Sequence, residues 1–271
     1  MVVTLDLPAV GFGTYQLNGL VAVEAIGSAL DAGYRLLDSA MNYENEGAVG
    51  AAVRRSGVPR DEVIVTSKLP GRHHAYAQAV TSVEESVLRT ALDHLDLHLI
   101  HWPNPSHDLY VEAWQALIDA RERGLVREIG VCNFLPEHLD RLERETGVVP
   151  AVNQIELHPY FPQVEALEDH RRRGIAVEAW SPLGRKSDLL VNPVVTEIAA
   201  QHDVTPAEAV LAWHAAIGTV PLPKSADPGR QRLNLAAVAI ALDPAEVDRL
   251  TALGRPDGRL FGGDPAVWIE D

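Results

Sequence analysis

Apolar positions along the chain change period repeatedly: short runs of aliphatic and β-branched residues give way to stretches in which they recur every three or four positions. That alternation marks βα units feeding a parallel sheet. The first strand is predicted over residues 8–14, after which Val23, Ile26 and Leu30 share one helical face until Gly33 ends it. Further strands are expected at 34–38, 62–68, 97–100, 128–132, 151–155, 175–179 and 219–222. Helices are expected at 47–55, along Val80, Val83, Val87, Ala91 and Leu95, at 109–123 before Gly124, and at 136–144. Beyond the seventh strand, helical patterns run over 193–201 and 206–216, and others follow Pro228 and Pro244.

Asp38, Lys68, His101 and Asn133 close successive strands at intervals of 30, 33 and 32 residues, each with room for one helix and one strand. The expected fold is α/β: a (β/α)8 TIM barrel, with residues 1–271 forming a single domain. A doubly wound open sheet is the competing architecture, but it needs a topological switch and usually fewer strands in one direction.

With 46% hydrophobic and 23% charged residues the chain can bury a substantial core. Its net charge of −15 repels phosphate backbones and anionic lipid, so neither nucleic acid nor membrane is expected as a partner. Cys132 is the single cysteine, which excludes an intrachain disulfide and any multi-cysteine metal site and suits a reducing cytosol. Residues 1–8 include Asp6 and lack the basic and apolar regions of a signal peptide, and no apolar stretch is long enough to span a bilayer. The expected location is the cytoplasm. Monomer is the expected state, because no large exposed apolar pattern stands out.

In parallel barrels the active site lies at the carboxyl ends of the strands. Here those ends carry Asp38, Lys68, His101 and Asn133, with Asn153 and Gln154 on strand six and Lys224 and Ser225 after strand eight, all expected to face one cavity. Any one of them alone reads more simply as a cap or a surface charge; together they favour chemistry. Lys68 beside Asp38 would keep its charge even when buried. Tyr43 follows in the next loop, and a phenol near pKa 10 is a poor acid unless a cation stabilises phenolate. With Lys68 as that cation, Tyr43 could protonate a carbonyl oxygen as hydride reaches carbon, while His101 holds the oxygen. On spacing alone, an ordinary loop aromatic at position 43 is an equal reading.

Seven segments carry a more specific signal, in order: Gly11-Phe12-Gly13-Thr14-Tyr15, Leu37-Asp38-Ser39-Ala40-Met41-Asn42-Tyr43-Glu44-Asn45-Glu46, Thr66-Ser67-Lys68-Leu69, Leu99-Ile100-His101-Trp102-Pro103, Ile129-Gly130-Val131-Cys132-Asn133-Phe134, Val152-Asn153-Gln154-Ile155-Glu156 and Pro223-Lys224-Ser225. Over residues 8–234 the chain resembles the aldo-keto reductases. Glu178-Ala179-Trp180-Ser181-Pro182-Leu183-Gly184 is similar to the prokaryotic 2,5-diketo-D-gluconate reductase branch. The resemblance implies an NADPH-dependent oxidoreductase that reduces aldehydes, ketones or dicarbonyls, keto sugars among them, to alcohols. It implies a catalytic tetrad of Asp38, Tyr43, Lys68 and His101, with Tyr43 as acid in reduction and base in oxidation. For the cofactor it implies Asn133 and Gln154 at the nicotinamide carboxamide, Trp180 stacked on the ring, and Ser181 to Leu183 along the pyrophosphate. Lys224, Ser225 and Arg230 would grip the 2′-phosphate and Asn234 the adenine, with Gly13, Thr14 and Ala226 completing the cradle. The substrate wall would include Tyr15, Trp102 and Trp268, the last in a tail, 259–271, that also carries Phe261.

Three positions depart from the family pattern: Cys132 stands where serine is usual, Leu233 where an acid commonly meets adenine, and Pro70-Gly71 where tryptophan often follows the catalytic lysine. A thiol is a weak donor, which bears on cofactor binding. Other readings are weaker. Gly11-Phe12-Gly13 is no dinucleotide fingerprint, since Gln16 stands where the third glycine belongs. Cys132 has no identified base and reads as a packing residue. A metal-dependent hydrolase would draw on His73, His74, His98 and His101, but an odd spacing sends His98 and His101 to opposite faces of a strand, so no metal is expected. A non-catalytic nucleotide-sensing subunit is the second class, and the intact tetrad weighs against it.

Overall fold

The computed structural model describes residues 6–260 and 262–270. Its strands are β1 (Phe12–Gly13), β2 (Leu36–Asp38), β3 (Ile64–Leu69), β4 (Leu95–Ile100), β5 (Val126–Cys132), β6 (Val152–Glu156), β7 (Ala176–Trp180) and β8 (Val220–Pro221). They pair in parallel and in sequence order. The sheet closes on itself, because Gly11 N–H donates to the Pro221 carbonyl at 3.0 Å and Gly13 N–H to that of Pro223 at 3.1 Å. This is the (β/α)8 barrel the periodicity predicts. Glycine at position 13 is what the closure requires: a Cβ there would lie 2.8 Å from the Leu222 carbonyl oxygen.

Among the described residues ten helices surround the strands: α1 (Gly19–Ala32), α2 (Glu46–Arg55), α3 (Tyr76–Thr90), α4 (Tyr110–Glu122), α5 (Pro136–Thr146), α6 (Val164–Arg173), α7 (Pro193–Gln201), α8 (Pro206–Ala216), α9 (Pro228–Ala237) and α10 (Pro244–Thr251). α1 buries Ala22, Ala25, Ile26, Ala29 and Leu30 and stops at Gly33, whose φ of 114° is open to glycine. One apolar layer joins β1–β5 to α1–α5 around Phe12, Tyr34 and Trp114; a second joins β6 and β7 to α7, α8 and α10 around Trp213, Ile198 and Leu250.

Two elements depart from the apolar pattern. α3 ends at Thr90 with Ala91 left-handed at φ 50°, so Leu95 opens β4 instead of extending the helical face. α6 is a helix that periodicity does not announce, since its buried residues are Asp169 and His170. It is held by charge instead: Arg173 bridges Asp169 at 2.8 Å and Asp140 on α5 at 2.6 Å. Among the described residues no helix is long and apolar enough to cross a membrane. Phe261 lies outside the described residues.

Candidate active site

β2 and β3 run side by side in register, Asp38 against Thr66, and carry Asp38 and Lys68 to the carboxyl mouth of the barrel. Lys68 is fully buried. Its ammonium has three protons and three acceptors: Asp38 Oδ1 at 2.7 Å, the Ser39 carbonyl at 2.8 Å and the Tyr43 hydroxyl at 3.4 Å. Burial pulls the ammonium down, but the Asp38 carboxylate and the Tyr43 phenol more than offset it, and Lys68 sits above the ordinary lysine value.

Tyr43 ends a short 3₁₀ turn, Met41–Tyr43, that Glu44 leaves with φ 54°. Asn45 pins this turn to the end of β1, donating to the Thr14 and Leu17 carbonyls at 2.8 Å each, while Asn18 donates to the Tyr43 carbonyl at 2.8 Å. The Tyr43 ring stands edge-on to Tyr15 at 5.1 Å and to His101 at 5.9 Å. One expectation needs correcting. Burial drives the Tyr43 phenol above its ordinary value, and the opposing pull of Lys68 is the smaller effect, so the phenol holds its proton firmly instead of being loosened.

His101 follows β4, its backbone N–H bound to the Leu69 carbonyl at 3.0 Å and its carbonyl receiving Asn133 Nδ2 at 3.1 Å. Its Nδ1 lies 2.6 Å from the Glu270 carboxylate. Asn133, at φ 61°, also accepts Trp180 Nε1–H at 2.8 Å, so the indole is fixed edge-on to the amide. Ser181 is left-handed as well, at φ 50°. Two non-glycine residues in that region, after β5 and β7, suit a ligand-gripping rim. Gln154 is buried and donates both amide protons, to Asp38 Oδ1 and Glu178 Oε2, each at 2.8 Å.

Asn153 does not join the cavity. Strand alternation turns it the other way, where its amide donates to the Phe134 carbonyl at 2.9 Å and lies 2.7 Å from His170 Nε2 on α6. Thr14 donates its hydroxyl to the Asp38 carbonyl at 2.8 Å, and Gly13 pairs with Asp38 in the sheet. Ser225 is buried in the turn before α9, receiving the Asp227 N–H at 3.1 Å; Asn234 is buried on α9, whereas Lys224, Ala226 and Arg230 face solvent. Leu183 is half-buried in the loop after β7. Trp268 packs on Trp102 at 5.6 Å, so the tail returns over the mouth of the barrel. Among the described residues no group of three His, Cys, Asp or Glu side chains could hold a metal. His98 is buried, and desolvation followed by the nearby Lys68 charge pushes it down to about 3. Cys132 is buried too, its thiol pushed well up by desolvation.

Two acids here, one buried and one partly buried, escape a reading of strand ends. Glu178 is fully buried, and desolvation followed by the Asp38 charge raises its carboxyl to about 7. The charge in the otherwise apolar run Ala176–Trp180 was its only signal. Glu270 had none.

A barrel with a buried ammonium–carboxylate pair against a phenol, and an imidazole across from it, defines an acid–base enzyme working on a small ligand at the strand mouth. The chain matches the Aldo/keto reductase family over residues 9–255 and belongs to it. It is 54% identical to 2,5-diketo-D-gluconic acid reductase B of Corynebacterium sp. (strain SHS752001), covering 94% of this chain and 91% of that protein. It is 40% identical to morphine 6-dehydrogenase of Pseudomonas putida, covering 96% and 92%. Among solved structures, a variant of Gox0644 in complex with NADPH superposes with a TM-score of 0.91 at 37% identity, covering 97% and 94%.

Proposed function

We propose that the chain reduces small carbonyl compounds with NADPH, with Tyr43 as proton donor and His101 as second donor to the carbonyl oxygen. The observation that carries this reading is the single ammonium of Lys68 shared by Asp38, Ser39 and Tyr43, which ties the charge network to one phenol. Bound NADPH supplies hydride to the carbonyl carbon. Tyr43 then gives its proton to the oxygen, and Lys68 stabilises the phenolate left behind. Asp38 holds Lys68 in place and keeps it charged.

The residues present fit the cofactor. Both donors of Gln154 are spent, so its carbonyl oxygen is what it can offer a carboxamide N–H₂. Asn133 and Trp180 would frame the nicotinamide, and Ser181 and Leu183 the pyrophosphate. Lys224 and Arg230, exposed near the start of α9 in an acidic chain, would receive the 2′-phosphate with Ser225, and Asn234 the adenine. Gly13, Thr14 and Ala226 would shape the cradle, the first two through the barrel closure described above.

Trp102, Trp268 and Tyr15 would wall the substrate. The named relatives are a reductase of a sugar acid and a dehydrogenase of an alkaloid, so exchange between carbonyl and alcohol is the common ground and substrate choice belongs to these aromatics. The expected state is a monomeric, cytoplasmic protein of one domain. The test is NADPH oxidation with methylglyoxal, phenylglyoxal, diketogluconate and 4-nitrobenzaldehyde, on wild type and Tyr43→Phe. Loss of turnover in the variant with NADPH binding retained supports the reading; wild-type protein that binds NADPH and turns over none of them would make it a nucleotide-sensing subunit instead.

A further inference from the structure

Aliphatic side chains ordinarily fill the interior of a parallel barrel, and β7 departs from that at one position. Val177 and Ala179 pack in the apolar layer with Ile198 and Trp213, so strand alternation turns Glu178 toward the barrel axis, where it is fully buried. Its Oε2 accepts from Gln154 Nε2 at 2.8 Å, while among the described residues Oε1 has no hydrogen-bond partner. A carboxyl so placed is costly, and packing does not account for it.

Gln154 lies directly opposite Glu178 on β6 and presents its amide to two acids. One Nε2 proton goes to Glu178 Oε2 and the other to Asp38 Oδ1, an atom that Lys68 also holds at 2.7 Å. An amide oxygen turned toward these acceptors would be repelled, so nitrogen faces them and Gln154 Oε1 faces away. The number of acceptors matters too. One acceptor fixes a direction and leaves the amide free to swing about that bond, whereas two, one for each proton, fix its plane. Desolvation and the Asp38 charge raise the Glu178 carboxyl to about 7, so both of its ionisation states occur near neutrality. Either state serves, because a proton taken up on the unpartnered Oε1 leaves Oε2 an acceptor.

We propose that Glu178 is a positioning residue for the nicotinamide: it locks the Gln154 amide with its oxygen toward the cofactor, so that the pocket accepts from a carboxamide N–H₂ and selects for it. The inference rests on the assignment of Gln154 to the carboxamide given above. Asn133 already spends a proton on the His101 carbonyl and its oxygen on Trp180 Nε1–H, which leaves Gln154 Oε1 the less committed acceptor.

The test compares NADPH with its reduced 3-acetylpyridine analogue, in which a methyl group replaces the carboxamide N–H₂, by Kd from quenching of tryptophan fluorescence. Wild type should bind NADPH about 10-fold more tightly, the effect of one hydrogen bond to an oriented acceptor. Glu178→Met, similar in length but without the acceptor, should weaken NADPH roughly 3- to 10-fold and leave the analogue within about 2-fold. Glu178→Gln keeps an accepting oxygen opposite Gln154 and should retain the wild-type preference. In the Gln154→Leu background Glu178→Met should add nothing. ¹⁵N NMR of wild-type protein should show the Gln154 N–H₂ protons protected from solvent exchange, a readout that needs no variant. The proposal is overturned by equal Kd for the two nucleotides in wild type, or by Gln154 protons that exchange as freely as those of a surface glutamine. It is overturned equally by an unchanged NADPH Kd in Glu178→Met, by the same loss for both nucleotides there, or by a Glu178→Gln variant without the preference. Wild-type NADPH affinity in Gln154→Leu would instead remove the underlying assignment of Gln154.

Discussion

Replacing Lys68 with methionine separates two roles proposed for one ammonium, charge balance for Asp38 and stabilisation of the Tyr43 phenolate. The side chain is fully buried and nearly matched in length by methionine, so the change removes the charge with little loss of packing. At 3.4 Å from the Tyr43 oxygen and an effective dielectric of about 20, one full charge on each partner is worth about 5 kcal/mol, and half a charge developed in the transition state about half of that. The expected fall in kcat is therefore about 10² to 10⁴-fold. Asp38 is left as a buried carboxylate whose remaining side-chain donor is Gln154, and breaking such a pair costs about 3–5 kcal/mol, a drop in Tm on the order of 10 °C. Adding Asp38→Asn removes the orphaned charge and should restore most of the stability while leaving kcat low. The measurements are Tm by calorimetry and single-turnover NADPH oxidation for both single variants and the double. Recovery of stability and turnover together in the double variant would refute the reasoning, because Lys68 would then matter only as a counter-ion.

Three further outcomes are expected. Lys224→Ala and Arg230→Ala should each weaken NADPH binding about 10- to 100-fold and leave NADH nearly unchanged, as each removes a charge-assisted contact worth about 1.5–3 kcal/mol; equal losses for both nucleotides in a fluorescence titration would contradict the 2′-phosphate assignment. Glu178 is raised to about 7 in the folded protein, so between the ordinary carboxyl value and pH 7 the folded state binds a proton that the unfolded state has released, and stability falls as pH rises through that window. Glu178→Gln should flatten this slope and stabilise the protein above pH 7 by about 3 kcal/mol at most, read from Tm at pH 5 and pH 8; a variant as pH-sensitive as wild type would show that Glu178 ionises normally. Trp268→Ala should raise KM for phenylglyoxal and 4-nitrobenzaldehyde by roughly 3–10-fold through the lost aromatic contact with Trp102, while methylglyoxal, too small to reach it, is unaffected.

The barrel was legible because short apolar strands alternate with helices, most of which bury faces that repeat at the expected period, and because Gly33 and Gly124 punctuate them. α6 escaped since a helix held by Arg173 and its carboxylates leaves no apolar trace. The same physics divides the candidate site. Asp38, Lys68 and His101 could be placed from strand ends, where a polar residue after an apolar run is conspicuous. Asn153 misled, because one strand sends consecutive residues to opposite faces and only the register shows that Gln154 is the inward one. Glu270 was invisible: nothing local distinguishes it, and its place at the site arises from contacts with Asn42, Gly71, His101 and Asn104 far away in sequence.

The raised proton affinity of Tyr43 looks at first like an obstacle to its use as an acid. Burial, the larger effect, penalises phenolate in the resting enzyme and keeps the hydroxyl protonated at any working pH. The proton's destination changes the balance, since an alkoxide is a far stronger base than phenolate, and transfer becomes favourable only as hydride reaches carbon. Lys68 sits where the phenolate would form, already oriented by Asp38 and Ser39, so its stabilisation is realised after the proton has begun to leave. A site that lowered the phenol directly would lose the proton to solvent before the substrate arrived.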